Sequence, residues 1–366
     1  MAADYVMVGG FLGAGKTTGM LRLAARFTAA GRRVVLITND QSQGLVDTTL
    51  VAAGGYEVEE ITGGCFCCRF NSLADASERL ACNGRADVIL AEPVGSCMDL
   101  RATVQHPLRR LYGDQYRVAP LSVVVDPLRA ARMIGLESGR AFAPKIQYLY
   151  EKQLEEADLL VLNKVDLLAG GRRDALVSAL AARFPAATVV PVSARTGEGV
   201  EHWFGLLSGG VATRPPMEVD YDLYAEGEAM LGWLNATVRL VAGMAFDGNR
   251  LLEQLAGGVR DRLSAAGVEI AHFKMTLTPE GGPGLGVANL VATDARLDTP
   301  VRLTGPLSGG RLTINLRAEA DPNQLRGAVH VALDQARALL GVSAEVERSD
   351  HFRPGRPEPT YRFSAP

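Results

Sequence analysis

Along the first two hundred residues, short apolar runs alternate with longer stretches whose apolar positions recur every three or four residues. The runs YVMVGG (5–10), VVLITN (34–39), DVILAEP (87–93), LSVVVD (121–126), DLLVLNK (158–164) and TVVPVSA (188–194) each have the length of a strand. Between them, TTGMLRLAARFTAAG (17–31) and VEHWFGLL (200–207) carry helical spacing. Strands that are apolar on both faces and separated by helices predict an α/β domain whose mostly parallel sheet is covered by helices on both sides. The stretch near 40–65 is long for a connection in a compact domain, and such loops are often functional.

Near ATRPPMEVDYD (212–222) the pattern changes, and Pro215-Pro216 reads as a linker. MLGWLNATVRLV (230–241) predicts a strand and NRLLEQLAGGVRDRLSAAG (249–267) a helix. The strands IAHFKMTLT, LGVANLVA and RLTINLRAE follow, then a helix at PNQLRGAVHVALDQARALLG (322–341). The expected division is a first domain at 1–212, a linker at 213–222 and a smaller α+β domain at 223–366. That second domain ends in the proline-rich, extended HFRPGRPEPTYRF (351–363).

Composition narrows the class. A chain of 366 residues suits two domains, and 47% hydrophobic with 22% charged residues is globular. A net charge of −3 without long runs of either sign leaves no footprint for nucleic acid or an anionic membrane surface. No apolar stretch is long enough to span a bilayer. The first residues enter a strand-like run at once, so no secretory or transit segment is expected. Five cysteines, an odd number and clustered, do not suggest a disulfide framework, and the expected compartment is the reducing cytoplasm.

Gly10-Phe-Leu-Gly13-Ala14-Gly15-Lys16-Thr17-Thr18 contains G-x-x-x-x-G-K-[ST] where a strand gives way to a helix. Glycines there let backbone N–H groups fold around phosphate oxygens, and the helix N-terminus adds partial positive charge. Lys16 would reach the β- and γ-phosphates and the Thr17 hydroxyl would bind Mg²⁺. Downstream, Asn163-Lys164-Val165-Asp166 ends a strand. An Asp carboxylate there accepts from the guanine N1–H and N2–H₂, which adenine cannot offer, so Asp166 predicts GTP over ATP. Ser193 and Ala194, at the next strand end, would meet the guanine O6. Glu92 ends DVILAEP and is followed by Gly95; an acidic residue there can hold Mg²⁺ while the glycine N–H senses the γ-phosphate.

EEITGGCFCCRFNSL (59–73) concentrates Cys65, Cys67 and Cys68 in four positions, leaving only Cys82 and Cys97 elsewhere. Three readings stand open for these thiols: core filler, a redox pair, for which C-x-x-C is the usual spacing, and soft thiolates converging on Zn²⁺ or a similar ion. Gly63 and Gly64 permit the tight backbone that turns neighbouring thiols inward. Three ligands would leave a coordination position open, which suits an ion in transit. The five histidines are scattered, with none paired at helical spacing; His351 is the first to test.

GGFLGAGKTT (9–18), GGCFCC (63–68), E-x-x-G (92–95) and NKVD (163–166) occur in an order that resembles the CobW-like GTPases, relatives of UreG and HypB. The resemblance covers most of residues 5–207. It implies a P-loop G domain whose GTP state controls binding of Zn²⁺, or sometimes Co²⁺, and its delivery to a client metalloprotein or a cobalamin-related pathway. Many family members read N-E-F-G-E-x-G-x-D after the second strand. Here Asp40 keeps the first acidic position, Gln43 replaces the second, and Asp47 keeps its place beside the Mg²⁺ side of the loop. Cys97, five residues after Glu92, is a candidate to join the thiols in one nucleotide state. The expected partners are therefore a guanine nucleotide, a client metalloprotein and a second copy of the chain. No residue reads as a water-orienting glutamine or arginine finger, so slow intrinsic turnover is expected. A regulatory GTP switch whose cysteines sense redox state and carry no metal is the alternative.

Overall fold

The computed structural model describes residues 2–39, 46, 51, 54–81, 86–209 and 214–364. Asp40, Gln43, Asp47 and Cys82 lie outside the described residues. The rest divides into two compact units. Residues 2–39, 51, 54–81, 86–209, 214–227 and 356–364 form the first; Val46 and residues 228–355 form the second.

The first unit is built on β1 (Ala3–Gly9), β2 (Val34–Asn39), β3 (Glu57–Ile61), β4 (Val88–Glu92), β5 (Tyr116–Val118), β6 (Ser122–Val125), β7 (Leu159–Leu162) and β8 (Thr188–Pro191). Their order is β3-β2-β4-β1-β6-β7-β8, with β5 pairing β1, and every pairing is parallel. All residues of β1 and β4 are buried, as central strands covered on both faces must be. β3 falls inside the stretch that the sequence suggested was loop. Its residues EVEEI are mostly half-exposed because it is the sheet edge, so no apolar run marks it.

Behind the sheet, the helix Lys16–Ala29 packs Met20, Leu23 and Phe27 against Val124, Val161 and Trp203 of the helix Val200–Gly209. The Trp203 indole N–H donates to Ser122 Oγ at 2.9 Å, satisfying a buried donor at the sheet centre. The helices Phe70–Ala81, Pro127–Met133, Pro144–Glu156 and Gly170–Arg183 complete the crossovers. No helix among the described residues is long and apolar enough to cross a membrane.

The second unit is an antiparallel sheet of β9 (Gly232–Phe246), β10 (Ile270–Pro279), β11 (Gly286–Leu290), β12 (Asp298–Val301), β13 (Leu307–Ala318) and β14 (Val342–Phe352). They are ordered β12-β11-β10-β13-β9-β14. The helices Gly248–Ala265 and Pro322–Leu340 bury Leu251, Leu255, Val259, Leu325 and Val329 against Val238, Met275, Leu277 and Ile314. On the sheet, the Arg317 guanidinium lies 3.9 Å from the centre of the Trp233 ring, and Asn315 Oδ1 accepts from the Val46 N–H at 2.9 Å. The sequence reading assigned all of 223–366 to this unit. In the structure residues 214–227, covering most of the expected linker, belong to the first unit. The second begins at Glu228 and the chain leaves it after Gly355, with residues 356–364 packing with the first unit, where they find backbone and aromatic partners.

Candidate functional site

The turn from β1 into the helix Lys16–Ala29 is made by Gly10, Gly13 and Gly15, all at positive φ. Gly15 needs its identity twice over: φ is 95°, and a Cβ there would sit 2.5 Å from Asn163 Nδ2. Lys16 and Thr17 are buried at the helix start, while Thr18 is exposed. Lys16 Nζ donates to the Phe11 carbonyl at 3.4 Å and lies 3.9 Å from Glu92 Oε1, at the end of β4. The Thr17 hydroxyl donates to the same Glu92 oxygen at 3.2 Å. Lys16, Thr17 and Glu92 are thus brought together, as the sequence pattern expects of a phosphate and Mg²⁺ pocket. Two oxygen donors side by side suit a hard divalent cation.

The end of β7 meets this turn. Asn163 Nδ2 donates to the Ala14 carbonyl at 2.9 Å, and its Oδ1 accepts from the Ala194 N–H at 2.9 Å. Lys164, in the left-handed conformation at φ 59°, donates to the Gly13 carbonyl at 2.8 Å and to Asp126 Oδ2 at 2.7 Å. Burial alone would raise the Asp126 carboxyl, but the Lys164 ammonium beside it holds it below the usual range. Asp126 also caps the helix Pro127–Met133 by accepting from the Leu128 and Arg129 amides. Ser193 Oγ donates to Asp166 Oδ1 at 2.6 Å, leaving the exposed carboxylate aimed outward. Arg22 Nε donates to the Ala194 carbonyl at 2.7 Å and braces the same strand end.

Past Glu92 the chain runs through Gly95 and Cys97 toward the thiols. A Cβ at Gly95 would lie 2.7 Å from Leu12 Cδ2 and 3.0 Å from Lys16 Nζ, so the loop presses on the phosphate turn. Gln153, buried on the helix Pro144–Glu156, donates to the carbonyls of Gly95 (3.0 Å) and Cys97 (2.8 Å) and fixes the loop's course.

Cys65, Cys67 and Cys68 converge. Their sulfurs stand 2.9 Å (65–67), 3.2 Å (65–68) and 3.8 Å (67–68) apart. Thiolates around a tetrahedral ion with bonds near 2.3 Å are about 3.8 Å apart, so the triad needs only small outward adjustments. Among the described residues these three form the cluster with metal-ligand geometry, and no histidine joins them. His351 lies on β14 of the second unit.

Hydrogen-bonding contacts with the sulfurs of Cys67, Cys68 and Cys97 hold the Cys65 thiol well below its ordinary range. The bond to Cys65 pushes Cys68 up to about 11. The three thiols therefore share their protons, and Cys97 lies within reach of Cys65. Gly63 and Gly64, at φ 78° and 148°, make the turn. Asn39, at the end of β2, donates to the carbonyls of Ile61 (2.9 Å) and Gly64 (2.8 Å) and accepts from the Phe66 N–H at 2.9 Å.

Asn39, Asp126 and Gln153 were not singled out from sequence. Asp126 carried a signal, an Asp-Pro at a strand end before a helical run, and Asn39 one as the first position of the N-E-F-G-E-x-G-x-D stretch; Gln153 carried none, because its partners are backbone carbonyls.

The nucleotide-binding domain of the CobW/HypB/UreG proteins matches residues 4–190. The zinc chaperone CobW of Pseudomonas aeruginosa is 28% identical over 214 residues, 52% of this chain and 56% of that protein. The zinc chaperone YeiR of Escherichia coli is 32% identical over 164 residues, 44% of this chain and 46% of that protein. The chain spans about half the length of the curated relatives it matches. Among solved structures, the hydrogenase maturation factor HypB of Archaeoglobus fulgidus is similar at 20% identity and a TM-score of 0.40, covering 57% of this chain and 89% of that one. The family match runs from the first strand of the parallel sheet into its last, and the chain belongs to the CobW/HypB/UreG family.

Proposed function

We propose that the chain is a GTP-hydrolysing metallochaperone that holds a soft cation, Zn²⁺ or Co²⁺, on Cys65, Cys67 and Cys68. It would release the ion to a client metalloprotein. The observation that carries this reading is continuity: one loop leaves Glu92, touches Lys16 through Gly95, and brings Cys97 within reach of Cys65. The zinc chaperones among its relatives support the same cargo. Free, clustered cysteines suit a reducing cytoplasm. Co²⁺ would point to a cobalamin-related client and Zn²⁺ to a general metalloenzyme.

In hydrolysis, the amides of residues 13–17 and the Lys16 ammonium neutralise charge that builds on the β- and γ-phosphate oxygens. Thr17 and Glu92 would hold Mg²⁺, which supplies further neutralisation when bound. Asp166, braced by Ser193, accepts from the guanine edge, and the stem of Lys164 packs on the base. Glu92 and the amide of Gly95 report the presence of the γ-phosphate to the loop. GTP can move the cation only by as much as it favours one thiol geometry over the other. Cys97 is the candidate fourth sulfur in one of those geometries, and Asp40 and Asp47 remain candidate metal-side carboxylates.

A redox-sensing switch is the second reading, favoured by the 2.9 Å approach of Cys65 to Cys67. Calorimetry on anaerobically purified protein separates the two. The metallochaperone reading expects Zn²⁺ or Co²⁺ affinity to differ about 5–150-fold between a GTP analogue and GDP, and to vanish in the Cys65/Cys67/Cys68→Ser variant. Equal affinity with both nucleotides sinks it. A reversible disulfide without metal uptake would establish the switch.

A further inference from the structure

The thiol cluster is covered by the far end of the chain. After Phe352 the backbone leaves regular secondary structure and passes through Pro354, Pro357 and Pro359, each of which fixes its own φ and restricts the residue before it. In Pro357-Glu358-Pro359 the one N–H belongs to Glu358, and it donates to Cys68 Sγ at 3.3 Å. The Thr360 N–H donates to the Cys67 carbonyl at 2.9 Å, and its hydroxyl to the Cys68 carbonyl at 3.1 Å. Both ligand-bearing peptides are therefore held by one residue.

The strap is anchored on either side of these contacts. Tyr361 sets its ring edge-on to Phe70 at 5.3 Å. Arg362 donates to the buried Asp99 carboxylate at 2.7 Å and to the Met217 carbonyl at 3.0 Å. The Phe363 N–H donates to the Ala102 carbonyl at 2.9 Å. Ala102 lies in the π-helical turn Arg101–Gln105, where its partner five residues on would be the amide of residue 107. Residue 107 is proline, so the helix cannot supply that donor, and Phe363 does.

We propose that residues 356–364 are a working part of the thiol site. The Glu358 N–H is a positioning donor to the Cys68 sulfur, and the strap is a cover that must lift before a cation enters or leaves. The inference rests on the metal reading of these cysteines for its cargo. A donor of this kind orients the sulfur and tunes its charge, and losing such a partner commonly costs about 10–100-fold in metal affinity.

Glu358→Pro removes the N–H; Glu358→Gln keeps the N–H and removes the carboxylate. In full-length, Co²⁺-loaded protein, Glu358→Pro should shift the thiolate-to-cobalt absorption to longer wavelength. It should also lose the ion to a chelator about tenfold faster, the low end of that range. Glu358→Gln should match the wild type in both. A Glu358→Pro protein with wild-type absorption and release overturns the positioning role.

If the wild type takes up neither Co²⁺ nor Zn²⁺ at these thiols, the metal reading fails on its own account. The cover is then judged on metal-free protein by iodoacetamide alkylation of Cys67 and Cys68. Faster reaction in Tyr361→Ala and Glu358→Pro than in wild type supports the cover, and equal rates overturn it.

Discussion

Asp166, proposed to accept from the guanine edge, is braced by Ser193, which donates to one carboxylate oxygen at 2.6 Å and leaves the residue exposed. Asp166→Asn replaces an acceptor with an amide. Hydrogen bonds to a charged group are worth about 1.5–3 kcal/mol, so GTP affinity should fall about 10–150-fold by calorimetry. Xanthosine triphosphate, with a carbonyl where guanine has its amino group, should bind the variant better than GTP does. Unchanged GTP binding would remove Asp166 from the base site. Residues of this kind are legible in sequence because their chemistry sits in a fixed spacing on one turn: Lys16 with Thr17, Asn163 with Asp166, Cys65 with Cys68. Gln153 is not, since it is a buried amide bridging carbonyls from a distant part of the chain.

At the scale of elements, the helix Pro144–Glu156 ends on a carboxyl that is buried and lies near Asp99. Burial, reinforced by the Asp99 charge and only partly offset by the Arg101 amide and guanidinium, pushes Glu156 up to about 8 from 4.5. The folded state thus binds this proton more tightly than the unfolded chain does. The stabilisation is complete below pH 4.5 and is lost as pH rises through 8. Melting curves should show the wild type losing several degrees between pH 6 and roughly 8.5, with Glu156→Gln flattening that slope. Parallel slopes would mean that Glu156 ionises freely. Elements were legible where both faces are buried, as in VVLITN and LLVL. They were obscured at edges: EVEEI of β3 and VSAEVERSDHF of β14 carry charge because one flank has no neighbouring strand.

Across the molecule, a continuous set of contacts joins the phosphate turn to the sulfurs. Glu92 meets Lys16, the loop after it ends at Asp99, Asp99 grips Arg362, and the strap carrying Arg362 holds Cys67 and Cys68. Arg362→Lys keeps the charge but cannot reproduce a guanidinium that reaches both Asp99 and the Met217 carbonyl. It should leave GTP affinity near wild type and shrink the GTP-versus-GDP difference in cation release rate severalfold. An undiminished difference would show that the signal bypasses the strap. That there are two units could be read from the change of pattern after residue 212, but not where they part, since the first unit runs past the expected linker to Gly227; nor could the return of residues 356–364, because no local periodicity encodes a partner 290 positions away. That separation also sets a clock. At ribosomal speeds of about 5–20 residues per second, roughly 15–60 s pass between synthesis of Cys68 and of Glu358. Newly made sulfurs therefore spend that interval without their shield, a natural moment for a first ion to be loaded or for an oxidant to strike.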